Sequence, residues 1–205
     1  YKMDQFLMLT TIIVALITAV LGPIAVAWAK SKFALKKKSS IIATAIQSSN
    51  LVDSQLDTIM QETNADRVFV TQFHNGGHFY PTNKSIAKFS IFYEHLTPGT
   101  LPSQQTFQNI PCSLFTKSIS ELYENGEISC PTLEHESFGL RSVSEQHGTL
   151  SFYMIALEDL KGNFIGSISI AFKKEHKLSK DEWVFLRQKA GVIGTLLGGY
   201  LDSSK

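Results

Sequence analysis

The stretch TLSFYMIAL at 149–157, then EDLKGN at 158–163 and FIGSISIAF at 164–172, decides the fold. The two outer runs are aliphatic and aromatic, and the polar segment between them contains Gly162. That pattern predicts two antiparallel strands of a meander. A helix signal follows. Ser179-Lys180-Asp181-Glu182 is a capping box, in which the serine hydroxyl accepts from an orphan amide and the glutamate reaches back to the cap residue. It opens a helix through Trp183, Leu186, Ala190, Ile193 and Leu197 to about Leu201.

Upstream, Ser113 to Tyr123 reads as a helix ending near Gly126, and Glu127 to Cys130 as a short strand stopped by Pro131. Thr97 to Pro111 contains Pro98, Gly99 and Pro102 and is expected to be irregular. Ser90 to Glu94 supplies another strand. RVFVTQF at 67–73 is a strand by composition and runs into His74-Asn75-Gly76-Gly77, where Asn-Gly predicts a hairpin turn. Ser39 to Glu62 reads as a helix with Ile42, Ala45, Val52, Leu56 and Ile59 at heptad core positions, broken by Ser49. Two readings stay open there: the helix packs on the sheet, or it pairs with a second copy. The order of elements predicts an α+β fold, an antiparallel sheet with its terminal helices on one face.

Phe6 to Ala29 carries no charge, and at about 1.5 Å per residue it can cross a bilayer core of roughly 30 Å. One transmembrane helix is therefore expected to precede the fold. Trp28 suits the headgroup level. Ala27-Trp28-Ala29 also has the small-x-small form of a signal-peptide cleavage site, but the apolar region is longer than such peptides use. Met3 is an alternative start. The expected division is an N-terminal tail at 1–5, the membrane helix at 6–29, a basic connector at 30–50, and a globular domain at 51–205.

The formal charge of +1 hides an asymmetry. Residues 1–38 carry six Lys and one Asp, leaving 13 basic and 17 acidic residues for the remainder. A basic surface for nucleic acid is thus excluded from the domain. Lys30, Lys32, Lys36, Lys37 and Lys38 follow the apolar span, whereas Lys2 alone precedes it, which predicts a cytoplasmic domain in a plasma or inner membrane. The same lysines are expected to face anionic lipid. In that compartment Cys112 and Cys130 are expected to be free thiols.

Several stretches together resemble a GAF domain. They are Ala65-Asp66-Arg67-Val68-Phe69-Val70, Glu124-Asn125-Gly126-Glu127-Ile128-Ser129-Cys130-Pro131, and Leu140-Arg141-Ser142-Val143 before the strand at 151–157. The last runs from Gly162 through Ile170 to Leu178-Ser179-Lys180-Asp181-Glu182. The resemblance spans about residues 51–202 and implies a ligand-sensing or dimerising module, with a pocket between the sheet and the variable middle segments. It does not extend to the cyclic-nucleotide motif, since Lys173-Lys174 and Leu178 stand where that subgroup has Asn-Lys and Phe. The anchor-plus-domain plan also resembles the holins of large tailed phages.

No enzyme is expected. No serine lies in a nucleophile elbow, no phosphate loop or cofactor motif is present, and His74 and His78 flank a turn, so no metal site is predicted. A pocket is the better prediction. Ser151 and Tyr153 on one meander strand and Ser167 and Ser169 on the other leave space if their faces coincide. Phe73, Phe79, Phe89 and Phe92 are then expected as the opposite wall and Arg141 as a charge for an anionic ligand. The alternative is a packed core with serines bonded to backbone.

The last helix contains Gly191, Gly194, Gly198 and Gly199, each costing about 1 kcal/mol against Ala. Gly194 and Gly198 share a face, so either the first helix or a second copy is expected against them. With Ile42, Val52, Leu56 and Ile59 they form the predicted self-association surface.

The chain thus reads as a membrane-anchored sensory, regulatory or interaction module, self-associating and without an output domain of its own, its signal passing through oligomers, membrane or a separate protein partner. The alternatives are a structural subunit of a larger membrane or virion assembly, and a holin-type lysis protein.

Overall fold

The structure is a computed structural model, and it describes residues 21–203 together with Met3, Met8 and Ala19, the side chains of 33–41, 202 and 203 excepted. The chain forms two compact units, Tyr1–Ile46 and Gln47–Lys205. Helix α1 spans Gly22–Thr63. Most of the membrane span expected at 6–29 lies outside the described residues, as do the side chains of Lys36, Lys37 and Lys38. Among the described residues no helix is long and apolar enough to cross a membrane. Lys30 and Lys32 are exposed, the latter 4.9 Å from the Trp28 ring centre.

After α1 come strands β1 (Arg67–Phe79), β2 (Lys84–Leu96) and β3 (Ile110–Pro111), then helix α2 (Thr116–Asn125) and β4 (Glu127–Cys130). Helix α3 (Arg141–Gln146), β5 (Ser151–Glu158), β6 (Phe164–Phe172) and α4 (Lys180–Ser203) complete the fold. The strands form one six-stranded antiparallel sheet in the order β3-β2-β1-β6-β5-β4. The α+β class is as expected from the meander and the capping box. Ser179 N donates to Glu182 Oε2 at 2.7 Å, and Glu182 N to Ser179 Oγ at 3.2 Å. Burial alone would raise the Glu182 carboxyl, but the Ser179 bonds and nearby His176 prevail and hold it below its ordinary value.

Asn75-Gly76 is not the hairpin turn. Pairing of β1 with β2 continues past it, with a register irregularity between Asn75 and His78. The chain reverses at Tyr80–Asn83, where Asn83 takes φ 55° and its amide bonds Phe79 O at 2.8 Å. The glycines are absorbed as a bulge, and Pro81 and Asn83 supply the turn chemistry.

Alternate strand positions face opposite ways. Val68, Val70, Tyr153, Ile155, Leu157, Ile168, Ile170 and Phe172 pack against Val52, Leu56 and Ile59 of α1 and Leu186, Ala190, Ile193 and Leu197 of α4. Both terminal helices therefore cover one face. Between the two readings of the connector, packing on the sheet holds from residue 47 onward. Ser49, the heptad break, meets the Tyr93 hydroxyl at 3.2 Å, and His95 sits between Asp57 at 2.7 Å and Asp53 at 3.1 Å.

Most of the predicted self-association surface is consumed inside the domain. Val52, Leu56 and Ile59 are fully buried in the core, and only Ile42 is exposed. The glycine face of α4 meets its own chain. A Cβ on Gly194 would stand 2.3 Å from Glu158 O, and one on Gly198 would stand 2.7 Å from Asp159 Cβ. These glycines let the β5–β6 turn touch the helix backbone. At Gly191 an added Cβ meets nothing within 4 Å.

The two glycines should therefore respond oppositely to alanine. Gly191→Ala is expected to raise stability by up to about 1 kcal/mol, and Gly194→Ala to lower it by about 1–3 kcal/mol. Thermal unfolding of the two variants checks the sign of each.

Candidate functional site

The other face of the sheet carries Arg67, Phe69, Thr71 and Phe73 of β1, Phe89 and Ile91 of β2, Phe152 and Met154 of β5, and Ser167, Ser169 and Ala171 of β6. Their register places Phe69 beside Ser169, Thr71 beside Ser167 and Met154 beside Ser169. The serines leave depth where larger side chains would fill it. Opposite stand Ser118, Ile119 and Leu122 of α2, Val143 and Ser144 of α3, and Phe107, Phe115, His147 and Thr149 from the connecting segments. Between these walls lies a cavity of ≈ 120 Å³.

Helix α2 is aimed by its own sequence. It ends at Gly126, which takes φ 76° and returns its amide to Leu122 O, and it buries Ser118 and Leu122. Aromatic rings meet edge-on along the wall, Phe89 with Phe115 at 5.5 Å and Phe107 with Phe115 at 6.2 Å.

One end of the cavity is polar. The Arg67 and Glu94 side chains are 5% and 3% exposed, with Nε 3.6 Å from Glu94 Oε1. Arg67 Nη2 donates to Leu101 O at 2.6 Å and Nη1 to Thr149 Oγ1 at 3.4 Å. Glu94 accepts the amides of Ser103 and Gln104 at 2.8–2.9 Å, so the pair also pins the irregular loop. Burial pushes the Arg67 guanidinium below its ordinary value, while Glu94 and Asp66 act the other way. Thr71 and Ser167 share a hydroxyl bond of 2.7 Å. His147 Nδ1 lies 3.0 Å from Val143 O. A carbonyl only accepts, so Nδ1 carries a proton.

Four of the expected pocket residues, Phe73, Phe89, Ser167 and Ser169, line this cavity. The other five lie elsewhere. Tyr153 and Ser151 face the terminal helices, because antiparallel register sets Tyr153 beside Ile170 and not beside a serine. The Tyr153 hydroxyl donates to His176 O, and Ser151 Oγ to Lys174 O at 2.9 Å. Phe92 is the extra residue of a bulge, since Val70 pairs with Tyr93 and Thr71 with Ile91, and it is 47% exposed. Phe79 ends β1 beside the turn and is also exposed. Arg141 lies at the surface and donates to Leu133 O and Glu134 O, clipping that segment to α3. Arg67, Phe69, Thr71, Phe152 and Met154 were missed, although the alternation in β1 and β5 marks them. Phe107, Phe115, His147 and Thr149 carry no periodic signal.

No cysteine lines the cavity. Cys130 is buried beside it among Leu122, Ile128 and Phe152. Burial, with Glu136 nearby, pushes its thiol up to about 11. Cys112 is half-buried, and burial raises it too. Among the described residues no cluster of His, Cys, Asp or Glu is placed to hold a metal ion.

No protein-family model and no curated protein matches the chain. Solved structures do match. The phycocyanobilin-bound GAF domain of a cyanobacterial phytochrome shares 12% identity at TM-score 0.61, over 82% of this chain and 94% of that one. The GAF domain of Thermosynechococcus elongatus PixJ, in its blue-light absorbing form, shares 11% at 0.61, over 79% and 92%. A phycoerythrobilin-bound GAF domain from a cyanobacterial phytochrome shares 15% at 0.60, over 82% and 95%. The chain thus contains a domain of the GAF fold.

The buried ion pair gives a stability test. Arg67→Met leaves Glu94 buried without its counter-charge and is expected to cost about 3 kcal/mol, with part regained in Arg67→Met/Glu94→Gln; denaturant titration reads both. Cys130 gives a pH test. Its folded pKa exceeds the unfolded thiol value of about 8.5. Its contribution to stability is complete below that value and is lost as pH rises towards about 11. Alkylation at pH 8 should accordingly modify Cys130 in the unfolded chain and spare it in the folded one.

Proposed function

We propose that this chain is a membrane-anchored regulatory module whose GAF-fold domain binds a small ligand in the cavity between its sheet and α2. The reading rests on a cavity lined mostly by apolar side chains, six of them phenylalanines, with buried polar groups among them, the usual composition of a small-molecule site. The ligand would bear on β1 and β6, whose other faces give Val68 and Ile170 to the core that also contains Val52, Leu56 and Ile59 of α1, so occupancy has a route to that helix. The anchor rests on the uncharged run Phe6–Ala29, and the cytoplasmic placement on the lysines behind it.

Two of the matching GAF structures are bilin-bound, and only their fold is carried over to this chain, since Arg67 already faces Glu94. Binding to a second copy is a further reading. It is favoured by Ile42 and Ile46, one helical turn apart on α1 and 54% and 57% exposed.

Native mass spectrometry of the chain extracted from salt-washed membranes tests the proposal. The expected spectrum shows a small-molecule adduct that disappears in Ser167→Phe, a substitution that fills the cavity. A chain absent from the membrane pellet contradicts the anchor, and an adduct that persists in Ser167→Phe contradicts the site.

A further inference from the structure

Of the buried polar atoms at the cavity, Ser169 Oγ has no hydrogen-bond partner among the described residues, and Arg67 Nε has only the Glu94 carboxylate, at 3.6 Å beyond hydrogen-bond length. Both residues line the cavity and both are nearly inaccessible, at 4% and 2% exposure. Arg67 pairs with Ala171 and Phe69 with Ser169 across β1 and β6, so the two residues are diagonal neighbours on one sheet face. The Arg67 terminal nitrogens go to Leu101 O and Thr149, and Thr71 and Ser167 bond each other.

A buried polar group left unmatched costs roughly 1–3 kcal/mol, so these two atoms define what a ligand must bring. An N–H only donates, and the serine hydroxyl donates as readily as it accepts. Their common complement is an acceptor oxygen. Its charge follows from Glu94. The Arg67 cation is already balanced by a carboxylate 3.6 Å away, itself held by two backbone amides. A second anion would leave this apolar space with a net negative charge, which burial penalises heavily. A neutral oxygen brings no such cost. The body follows from the walls, which are aromatic at this level, Phe69 beside Ser169 and Phe152 beside Ala171. The volume of ≈ 120 Å³ compares with the roughly 150 Å³ in which an apolar cavity holds benzene.

We propose that the cavity takes a neutral, mostly apolar molecule bearing one carbonyl oxygen, which accepts from Arg67 Nε–H and the Ser169 hydroxyl while its ring or chain lies among the phenylalanines. The proposal rests on the ligand-site reading above and adds the chemistry of the occupant.

Three probes separate the two. Acetophenone carries the oxygen, α-methylstyrene replaces C=O by C=CH₂ in the same shape, and benzoate carries an anion. Each is titrated into the full chain in nanodiscs while the Met154 and Ile119 methyl signals are followed by NMR, with free probe measured in the aqueous phase. Acetophenone is expected to bind about 30-fold more tightly than α-methylstyrene, the worth of two hydrogen bonds, and benzoate more weakly than either. Ser169→Ala should weaken acetophenone about five-fold, the loss of one of its two hydrogen bonds, and leave α-methylstyrene unchanged. Equal binding of acetophenone and α-methylstyrene, a preference for benzoate, or indifference to Ser169→Ala overturns the carbonyl proposal while leaving a ligand site in place. If no probe moves the Met154 signal, the site itself is contradicted.

Discussion

Alternation of side chains across the pleat is the constraint on which this structure depends. A strand cannot turn neighbouring residues to the same side. In β5 the odd positions Tyr153, Ile155 and Leu157 go to the terminal helices, and Phe152 and Met154 go to the cavity. In β6 Ile168, Ile170 and Phe172 take the helix side, which leaves Ser167, Ser169 and Ala171 for the other. One face of the meander is thus filled by large side chains and the opposite face is lined at its centre by small ones. The first makes the core, and the second leaves room above the sheet.

That room persists because its cover is tethered independently of it. The amides of Ser103 and Gln104 are drawn to Glu94, and Leu101 O to Arg67, so the segment after β2 is held from its polar end. Helix α2 is aimed by its glycine stop at Gly126, and α3 is joined to the preceding segment through Arg141. Buried charge pairs seldom add much net stability, and removing one partner is what costs. The Arg67–Glu94 pair accordingly matters more as a device fixing loop position than as a source of folding energy.

The parts of the fold readable in the sequence were those specified by short-range chemistry. The Ser179–Glu182 box formed as its residues imply, and the 149–172 meander paired across the expected turn. Where a local signal met a longer-range one, the longer-range one prevailed. Asn75-Gly76 has strong turn propensity, but pairing of β1 with β2 on both sides of it converts the glycines into a bulge and moves the reversal to Pro81 and Asn83. The site was half legible. Serine-rich alternation in β6 pointed to space, yet which β5 residues share that space depends on register, and register placed Met154, not Tyr153, beside Ser169. Gly194 and Gly198 signalled close backbone approach correctly, but the partner is the β5–β6 turn, a contact across more than thirty residues that helical periodicity cannot reveal.

The face of the sheet away from α1 and α4 bounds open, mostly apolar space. Xenon enters such space without needing a polar partner. A crystal of the chain pressurised with xenon is predicted to show an anomalous peak bounded by Phe73, Phe89, Phe115 and Met154. A crystal in which those side chains close upon one another, with no xenon between them, would contradict it.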